Sequence, residues 1–311
     1  MPRFSVIIPL YNKENFIKNT IKSVLNQTFT DFELIIVDDC STDGSLSEIK
    51  SFTNTNVRII EHDVNKGLSA SRNTGILNSN AEYVTFLDAD DLWKENFLYE
   101  INKLIKEFPL ASLYATNYEE IDVNNKIVLP KNGSDKLPEK SQIDDFFRIN
   151  IMQSLYNLSG FCVKKNVFND VGMFNTAITF GEDIDFNIRA NLKFKLAYSN
   201  VPLTSYIVHS QNQITQGKLS PKTITNFDFY EQNNPGNSSL KKFLDFQRYT
   251  KAKQYKIENN SSSYKKMIKQ INLSNLTLKQ KILLFSPAFL LKMIKKVKTF
   301  LLVKGFRVTS Y

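Results

Sequence analysis

A chain of 311 residues with 42% apolar and 12% aromatic side chains can bury a sizeable core, which excludes an intrinsically disordered protein. Its two cysteines, Cys40 and Cys162, exclude a disulfide framework and are expected in a reducing compartment. The net charge of +9 is unevenly spread, because residues 240–311 contain 17 Lys and Arg but only two acidic residues. This basic segment predicts an anionic partner.

The first part of the chain alternates apolar runs with amphipathic segments. The apolar runs predict buried strands at 4–11, 32–39, 56–62 and 81–90. Because the first run is short and no small-residue cleavage site follows it, we expect a strand there rather than a secretion signal. The amphipathic segments predict helices at 12–27, 68–79 and 94–108. The alternation indicates an α/β fold with a mostly parallel, Rossmann-like sheet covered by helices on both faces.

Polar side chains follow each predicted strand, in clusters at 9–12, 37–45, 61–67 and 87–91. The carboxyl ends of parallel strands meet at one edge of a sheet, and ligands of open α/β sheets bind there. The following aspartates are therefore expected to converge on one cleft: Asp38, Asp39, Asp88 and Asp90. Asp38 has a simpler alternative role, as a cap of the loop "STDGS".

The tetrapeptide "DADD", residues 88–91, places three carboxylates in four positions. Mg²⁺ and Mn²⁺ prefer carboxylate oxygens, and two acids separated by one residue can point to one cation. A solvated loop or a helix cap would also favour aspartate here. For Asp91 we predict the cap, because a helix is expected to start at Lys94.

Five motifs in order resemble the family 2 glycosyltransferases with the GT-A fold: "SVIIPLYN", "QTFTDFELIIVDDCSTDGS", "NKGLSASRNTGI", "YVTFLDADD" and "GEDIDFNIR". The resemblance covers about residues 4–210 and implies a nucleotide-diphospho-sugar transferase domain over 1–215. It also implies transfer of a sugar, expected to be UDP-linked, to a hydroxyl of a glycan or lipid-linked acceptor with inversion. The expected setting is the synthesis of a bacterial cell-surface polysaccharide.

The resemblance assigns five residues to the nucleotide-sugar donor: Pro9, Tyr11, Asp39, Arg72 and Asp88. It places Pro9 and Tyr11 beside the base and ribose, and Asp39 against the base, usually uracil. Arg72 is expected near the donor's phosphates, where a guanidinium fork suits phosphate oxygens. Taken singly, the residues leave simpler roles open, namely the end of a strand for Pro9, an ordinary core side chain for Tyr11 and a solvated helix charge for Arg72.

For the metal, the resemblance matches Asp88 and Asp90 to an Asp-x-Asp motif that holds Mn²⁺ or Mg²⁺. Asp90 is the expected direct ligand, and Asp88 is expected to reach the ribose or the water shell of the metal. His209, one of two histidines, matches a position that meets the metal or the leaving diphosphate in many relatives. A structural or solvated histidine is the alternative.

The segment "GEDIDFNIRA", residues 181–190, supplies the candidate base. By the resemblance, Asp183 takes the proton of the acceptor hydroxyl. Glu182 is expected to point elsewhere around the helix axis, although both acids could simply complement the helix dipole. Asp185 is predicted to pair with Arg189 at i+4.

Three further segments are predicted to lie outside the sheet. Residues 119–142 are expected to form a β-hairpin or a loop over the acceptor side, without chemistry of their own. Residues 216–239 are a predicted linker that ends in "NNPGNSS". Residues 240–311 are a predicted basic, helical C-terminal extension.

The last part of this extension has the pattern of an amphipathic helix. Phe289, Met293 and Val297 share one face, whereas lysines such as Lys292 and Lys296 share the other. Pro287 and the lysine density argue against a bilayer span. The pattern predicts a helix that lies on an anionic membrane, and hence a cytoplasmic protein peripheral to the inner face. A helix that packs back on the protein remains the alternative.

Two other functions remain open from the residues. A nucleotidyltransferase could use the same metal cleft, although it would be expected to have a basic Gly-rich loop where this chain has "PLYNKE". The basic extension could bind nucleic acid, but it shows neither a helix-turn-helix nor aromatic side chains along a basic groove. We therefore expect no nucleic-acid partner.

Overall fold

Each apolar run of the sequence forms a strand in the computed structural model, which describes residues 1–52, 57–122, 124–208 and 210–303. The strands are β1 Phe4–Leu10, β2 Phe32–Asp38, β3 Val57–Glu61, β4 Tyr83–Phe86, β5 Leu92–Trp93, β6 Leu113–Ile121, β7 Ile127–Val128, β8 Lys140–Ile143, β9 Phe161–Lys164 and β10 Leu196–Ile207. The α-helices are α1 Ile17–Leu25, α2 Ser45–Lys50, α3 Leu68–Leu77, α4 Phe97–Glu107, α5 Phe146–Ile149, α6 Val167–Val171, α7 Glu182–Lys193, α8 Phe227–Asn233, α9 Ser238–Ile257, α10 Ser261–Lys269, α11 Leu278–Phe285 and α12 Ala288–Val303.

The strands form one sheet in the order β3-β2-β1-β4-β9-β6-β10-β5, with β7 on β6 and β8 on β10. The pairs β3–β2, β2–β1, β1–β4 and β6–β10 are parallel, whereas β9 runs antiparallel between β4 and β6. The predicted α/β fold, a mostly parallel sheet with a helical C-terminal extension, is confirmed.

Helices cover both faces of the sheet, which explains why β1 is buried along its whole length. Successive side chains of a strand point to opposite faces. Ile7 accordingly lies in one apolar cluster, together with Phe86 and Phe186, whereas Val6 and Ile8 lie in a second cluster. The second cluster also contains the apolar sides of α1 and α4. Continuous apolar strands are thus required by burial on two faces.

Helix α3 approaches the sheet closely at Gly75. A Cβ atom on Gly75 would lie 2.4 Å from Cγ2 of Ile7 on β1. Because a real side chain cannot approach so closely, a glycine is required at this turn of the helix. The contact therefore sets how closely α3, which contains Arg72 one turn earlier, packs on β1.

Helix α1 begins at Ile17, five residues later than predicted from the apolar spacing. Asn12 takes a left-handed conformation with φ of 52°. The backbone N–H groups of Asn12 and Lys13 donate to Ser41 Oγ (3.1 Å) and Ser45 Oγ (2.8 Å). These bonds hold residues 12–16 against the loop after β2 and leave the Lys13 side chain free to reach across the cleft.

The segment 119–142 forms a short hairpin and then returns to the sheet. Strand β7 pairs antiparallel with the end of β6, as expected for one of the two predicted forms. Strand β8 then pairs antiparallel with β10. The segment therefore contributes two short strands to one side of the sheet.

The C-terminal helices pack on the sheet domain through α9. Its residues Leu240, Phe243 and Leu244 are buried in the same apolar cluster as Ile7 and Phe86. A separate small cluster joins α9 to the helices after it. The division at 215 and 240 remains a prediction. Within the described residues, no helix is both long and apolar enough to cross a bilayer.

Candidate active site

The loops after the parallel strands are tied together at the carboxyl edge of the sheet. Asp39 N donates to Leu10 O at 2.8 Å, and His62 N donates to Asp38 O at 2.9 Å. The loop after β1 is joined to the loop after β2 by the Asn12 and Lys13 bonds described above. The polar clusters that follow β1, β2 and β3 therefore form one continuous rim.

Arg72 is the central cation of this rim. Its guanidinium is buried, and it donates to Asp88 Oδ1 at 2.7 Å and to Glu182 Oε1 at 2.6 Å. Burial lowers the pKa of Arg72, but the charges of Asp88 and Glu182 outweigh burial and raise the pKa above its usual value. Arg72 thereby connects the loop after β4 with the first turn of α7. The alternative role of Arg72 as a solvated helix charge is wrong, because its guanidinium is buried.

Asp183 lies in the first turn of α7, next to Glu182. Burial and the neighbouring Glu182 charge raise the pKa of Asp183 to about 6, whereas Arg72 and Lys251 act in the opposite direction. A carboxylate with this pKa is ionised at neutral pH and still accepts a proton readily. Glu182 points to Arg72, so that its charge is already paired. Asp185 pairs with Arg189, so Asp183 is the one carboxylate of this turn without an ion pair within 4 Å among the described residues.

Asp90 is held by a lysine that sequence analysis did not assign. Lys13 Nζ donates to Asp90 Oδ2 at 2.7 Å and to Gln211 O at 2.6 Å. Ser210 Oγ also donates to Asp90 Oδ2. The only available signal was the position of Lys13 directly after "PLYN". Nothing in the spacing of the residues indicates which carboxylate the ammonium contacts.

The two carboxylates of the Asp-x-Asp motif differ in exposure. The side chain of Asp88 is 34% exposed and that of Asp90 is 11% exposed. In the described part of the chain, no group of three or more His, Cys, Asp and Glu side chains could enclose a metal. Two carboxylates nevertheless fit a Mg²⁺ or Mn²⁺ ion that takes most of its ligands from phosphates and water. Such an ion would have to displace the Lys13 ammonium from Asp90. His209, the third predicted ligand, lies outside the described residues.

Asp39 anchors the loop that precedes α3. Its carboxylate accepts hydrogen bonds from Lys66 N at 2.8 Å and from Gly67 N at 2.7 Å. His62, which had no predicted role, contacts Asp39 Oδ1 through Nδ1 at 2.7 Å and Thr74 Oγ1 through Nε2 at 2.9 Å. In this arrangement the Asp39 carboxylate is buried, and it holds the rim together.

Asp38 forms the loop cap that was one of its alternatives. Its Oδ2 accepts a hydrogen bond from Ser41 N at 3.1 Å. The other oxygen, Oδ1, is buried and has no hydrogen-bond partner among the described residues.

The prediction that Asp91 caps a helix is wrong. Strand β5 follows Asp91, and α4 begins only at Phe97 with Asn96 as its N-cap residue. Asp91 is buried, and its carboxylate accepts from Ser159 Oγ at 2.6 Å and from Ile207 N at 3.2 Å. Burial and the charges of Asp90 and Asp88 raise the pKa of Asp91 well above its usual value. Asp91 therefore connects three parts of the chain beneath the site.

The remaining predicted residues are placed as follows. Pro9 lies in β1, opposite Val37 of β2. Tyr11 follows the strand and is 44% exposed, so its ring is accessible to a ligand at the rim. The predicted pairing of Asp185 with Arg189 is confirmed by an N···O distance of 2.8 Å.

Comparisons with known proteins match the part of the chain from β1 to α6, which contains most of the sheet but not α7 or β10. A family model described as Glycosyl transferase family 2 matches residues 5–176. Glycosyltransferase GlyA of Streptococcus pneumoniae is 39% identical over 118 residues, which are 37% of this chain and 17% of that protein. UDP-Glc:alpha-D-GlcNAc-diphosphoundecaprenol beta-1,3-glucosyltransferase WfgD of Escherichia coli is 35% identical over 125 residues, which are 40% of this chain and 48% of that protein. The matches thus span less than half the length of these two relatives.

Solved structures of Staphylococcus aureus TarS share the fold. The structure of TarS residues 1–349 in complex with UDP-GlcNAc has a TM-score of 0.61 and 19% sequence identity, over 91% of this chain and 78% of the other. A longer TarS structure has a TM-score of 0.63 and 18% identity, over 95% of this chain and 54% of the other. At these identities the similarity is one of architecture, and it extends into the C-terminal helices.

Proposed function

The chain belongs to glycosyl transferase family 2, and we propose that it transfers a sugar from a UDP-linked donor to a hydroxyl of a glycan or lipid-linked acceptor. The observation that carries this proposal is the chain of contacts from Asp88 through Arg72 to Glu182. It connects the edge of the sheet where ligands bind in α/β folds with the turn that contains Asp183. The name of the Escherichia coli relative and the UDP-GlcNAc complex of TarS support a uridine diphosphate donor.

The proposed donor site lies along the rim. Tyr11 offers an exposed ring on which the base can stack, with Pro9 beside it. Asp39 and the N–H groups that it orders would define the edge of the base site, while Asp88 would reach the ribose. Arg72 would act near the diphosphate, as a fixed positive charge held between two carboxylates. A Mn²⁺ or Mg²⁺ ion held by Asp90 and Asp88, with His209 as a further ligand, would neutralise charge on the departing diphosphate.

The proposed acceptor chemistry belongs to Asp183. Its carboxylate takes the proton from the acceptor hydroxyl as the oxygen attacks C1 of the sugar. The oxygen attacks opposite the C1–diphosphate bond, which breaks as the new bond forms, so the configuration at C1 inverts. The diphosphate leaves with the bonding electron pair. The relatives and this chemistry together support a role in bacterial cell-surface polysaccharide synthesis.

The proposed function is tested with a panel of nucleotide sugars and a diphospholipid-linked monosaccharide acceptor. We expect the full chain to release nucleotide fastest from a UDP-sugar when the acceptor is present. Asp183→Asn should lower transfer by about 10²–10⁴-fold, the range for a general base, with the Kd for UDP unchanged. If nucleotide were released only from sugars linked to nucleotides other than UDP, the UDP-linked donor would be contradicted. Full turnover by Asp183→Asn would contradict the assignment of Asp183 as the base. If NMR of the product showed that the configuration at C1 is retained, the inverting mechanism would be contradicted.

We also propose that helices α11 and α12 rest on an anionic membrane at the inner face. One side of these helices is packed, since Leu284 and Leu291 are buried. The opposite side exposes a run of large apolar side chains: Leu278, Ile282, Phe285, Phe289, Met293, Val297 and Phe300. Lys295 and Lys296 are also exposed, and they lie on α12. Apolar side chains with flanking lysines suit an anionic lipid interface.

Flotation of the full chain with liposomes tests the membrane proposal. We expect flotation with phosphatidylglycerol and little with phosphatidylcholine. The triple variant Phe289→Ser, Met293→Ser, Val297→Ser should lose flotation, because it removes exposed apolar area and leaves the buried side intact. A triple variant that floats like the unchanged chain, or equal flotation with both lipids, would contradict the proposal.

A further inference from the structure

A lysine of the C-terminal extension reaches the start of α7. Lys251 lies in the second half of α9, beyond the residues 5–176 that the family model matches. Its side chain is only 9% exposed. Its Nζ lies 4.3 Å from the ring centroid of Phe180, which directly precedes Gly181 and the first turn of α7. The ammonium of Lys251 thus lies against the residue that leads into the turn containing the candidate base.

The position of Lys251 is fixed by the packing of α9. Leu240 and Leu244 are buried in the sheet cluster, and Arg248 is buried one turn before Lys251. Because residues three and four apart share one face of a helix, Lys251 is directed to the same side as these residues. The start of α7 is held as well, since Thr225 Oγ1 donates to Gly181 O at 3.1 Å.

The ammonium of Lys251 has no hydrogen bond and no ion pair within 4 Å in the part of the chain that the structure describes. A buried charge without a partner costs free energy unless a group nearby offsets it. Burial lowers the pKa of Lys251 to about 8, while the charges of Asp183 and Glu182 act to raise it. Glu182 is already paired with Arg72. The unpaired carboxylate that faces Lys251 is therefore Asp183.

We propose that Lys251 is a positioning residue for the reaction, whose ammonium faces Asp183 across the start of α7 and keeps this carboxylate ready to accept the acceptor's proton. The inference rests on the proposed function, because it requires Asp183 to act as the base. Among the described residues, the charged groups that act on Asp183 besides Lys251 are Glu182 on α7 and Arg72 on α3, and the titratable Tyr156 also interacts with it. Arg72 is already paired with Asp88 and Glu182, whereas Lys251 has no ion pair within 4 Å among the described residues. Its positive charge is therefore available to act on Asp183.

Three variants of the full chain test this inference. Lys251→Met keeps most of the apolar stem and removes the charge, whereas Lys251→Arg keeps the charge. Lys253→Met is the matched control, because burial lowers the pKa of Lys253 to about 8 as well, but its charged neighbours are Lys298 and Lys279. We expect Lys251→Met to move the acid limb of the kcat/KM profile to higher pH, so that activity at pH 6.5 falls about tenfold more than at pH 8.5. Lys251→Arg should restore the limb, and Lys253→Met should leave it in place.

A double-mutant cycle on stability provides a readout that needs no transfer. Removing the Lys251 charge should cost more stability at pH 7, where both groups are ionised, in the presence of Asp183 than in the Asp183→Asn background. Coupling in this cycle together with no sugar transfer by the unchanged chain would overturn the proposed function but not the pairing. An unshifted acid limb in Lys251→Met, or the absence of coupling, would overturn the inference. If Lys251→Met fails to fold, Lys251→Arg that folds but loses activity at every pH would also overturn it.

Discussion

Lys13 contacts Asp90, the carboxylate that we propose as a ligand of a divalent cation. Its ammonium lies 2.7 Å from Asp90 Oδ2, and the two side chains are nearly buried. An ammonium is a compact positive charge, so it offsets part of the repulsion among Asp88, Asp90 and Asp91. The crowding of carboxylates that is apparent in the sequence is thus relieved within the protein itself.

Lys13→Met is therefore expected to tighten binding of Mn²⁺ alone. The competing hydrogen bond to a charged group is worth about 1.5–3 kcal/mol, which predicts at least about tenfold lower Kd. Electron paramagnetic resonance of free Mn²⁺ measures this without donor or acceptor. Lys18→Met is the control, because Lys18 pairs with Glu48 at the surface. Unchanged or weaker Mn²⁺ binding would show that Asp90 is not a metal ligand.

The pKa of Asp183 predicts the pH dependence of transfer. Because the proposed base must be ionised and the pKa of Asp183 is about 6, kcat/KM should fall about tenfold per pH unit below pH 6 and be level above pH 7. A pH–rate profile in a constant-ionic-strength buffer measures this. A profile that stays flat down to pH 5 would exclude Asp183 as the titrating base.

The same raised pKa has a consequence for stability. The usual pKa of an Asp is 3.8, so the unfolded chain ionises at lower pH than the folded chain. The free energy of unfolding therefore decreases as the pH rises from about 4 to about 6. Asp183→Asn removes this cost, and its Tm at pH 8 should equal or exceed that of the unchanged chain. A lower Tm would mean that the ionised carboxylate stabilises the folded chain, which would contradict the raised pKa of Asp183.

At the scale of elements, α9 is the helix whose role differs most from the expectation of an appended tail. Phe243 is buried against Phe146 and Phe147 of α5, with ring centroids 6.2 and 5.6 Å away. The sequence indicates that α9 is helical, but it does not indicate which surface covers the apolar side of this helix. Although the segment from residue 240 onward is basic overall, its helix α9 contributes buried apolar side chains to the core.

Phe243→Ala should lower the free energy of unfolding by about 3–5 kcal/mol, because it leaves a cavity in a cluster shared by sheet and helix. Lys242→Ala, on the exposed side of the same turn, should change it by less than about 0.5 kcal/mol. Urea unfolding followed by circular dichroism measures both. Equal, small effects would mean that α9 is only loosely associated with the sheet domain.

Two elements differ from the sequence prediction for a common reason. Helix α1 starts late because the loop before it bonds to Ser41 and Ser45. The helix predicted to start at Lys94 begins only at Phe97, because it is preceded by β5, whose residue Trp93 pairs with Thr204 of β10. Both partners are remote in sequence, so local periodicity could not reveal them.

At the scale of the whole molecule, a buried network of charges joins the C-terminal helices. Asp245 is fully buried, and its carboxylate accepts from Lys241 Nζ, Arg248 Nη1, Asn272 N and Asn275 Nδ2. Arg248 in turn pairs with Asp228 and Glu231 of α8. The network fixes α9 relative to α8 and to the segment before α11, and so it orients the helix that places Lys251.

Asp245→Ala should destabilise the chain by about 3–5 kcal/mol, since it leaves a buried arginine and several donors with fewer partners. The exposed Asp135→Ala is the control. Thermal unfolding should show a lower Tm for the first variant only. An unchanged Tm would mean that water replaces the carboxylate and that the network does not orient α9.

The sequence by itself determined the α/β class, the family and the edge of the sheet where the candidate residues lie. These follow from local patterns: apolar runs that must be buried on both faces, and motifs that lie at strand ends. It also predicted the i+4 pair of Asp185 and Arg189, because helix geometry alone brings these side chains together.

Only the tertiary structure decided which charges meet. Lys13 and Asp90 are 77 residues apart, Arg72 and Glu182 are 110 apart, and Asp91 accepts from Ile207, 116 residues away. A charged side chain has many possible partners in a sequence, and the packing of backbone elements selects among them. Lys251 is an example: the sequence places it in the basic extension, whereas the packing of α9 brings its ammonium against Phe180, which precedes α7.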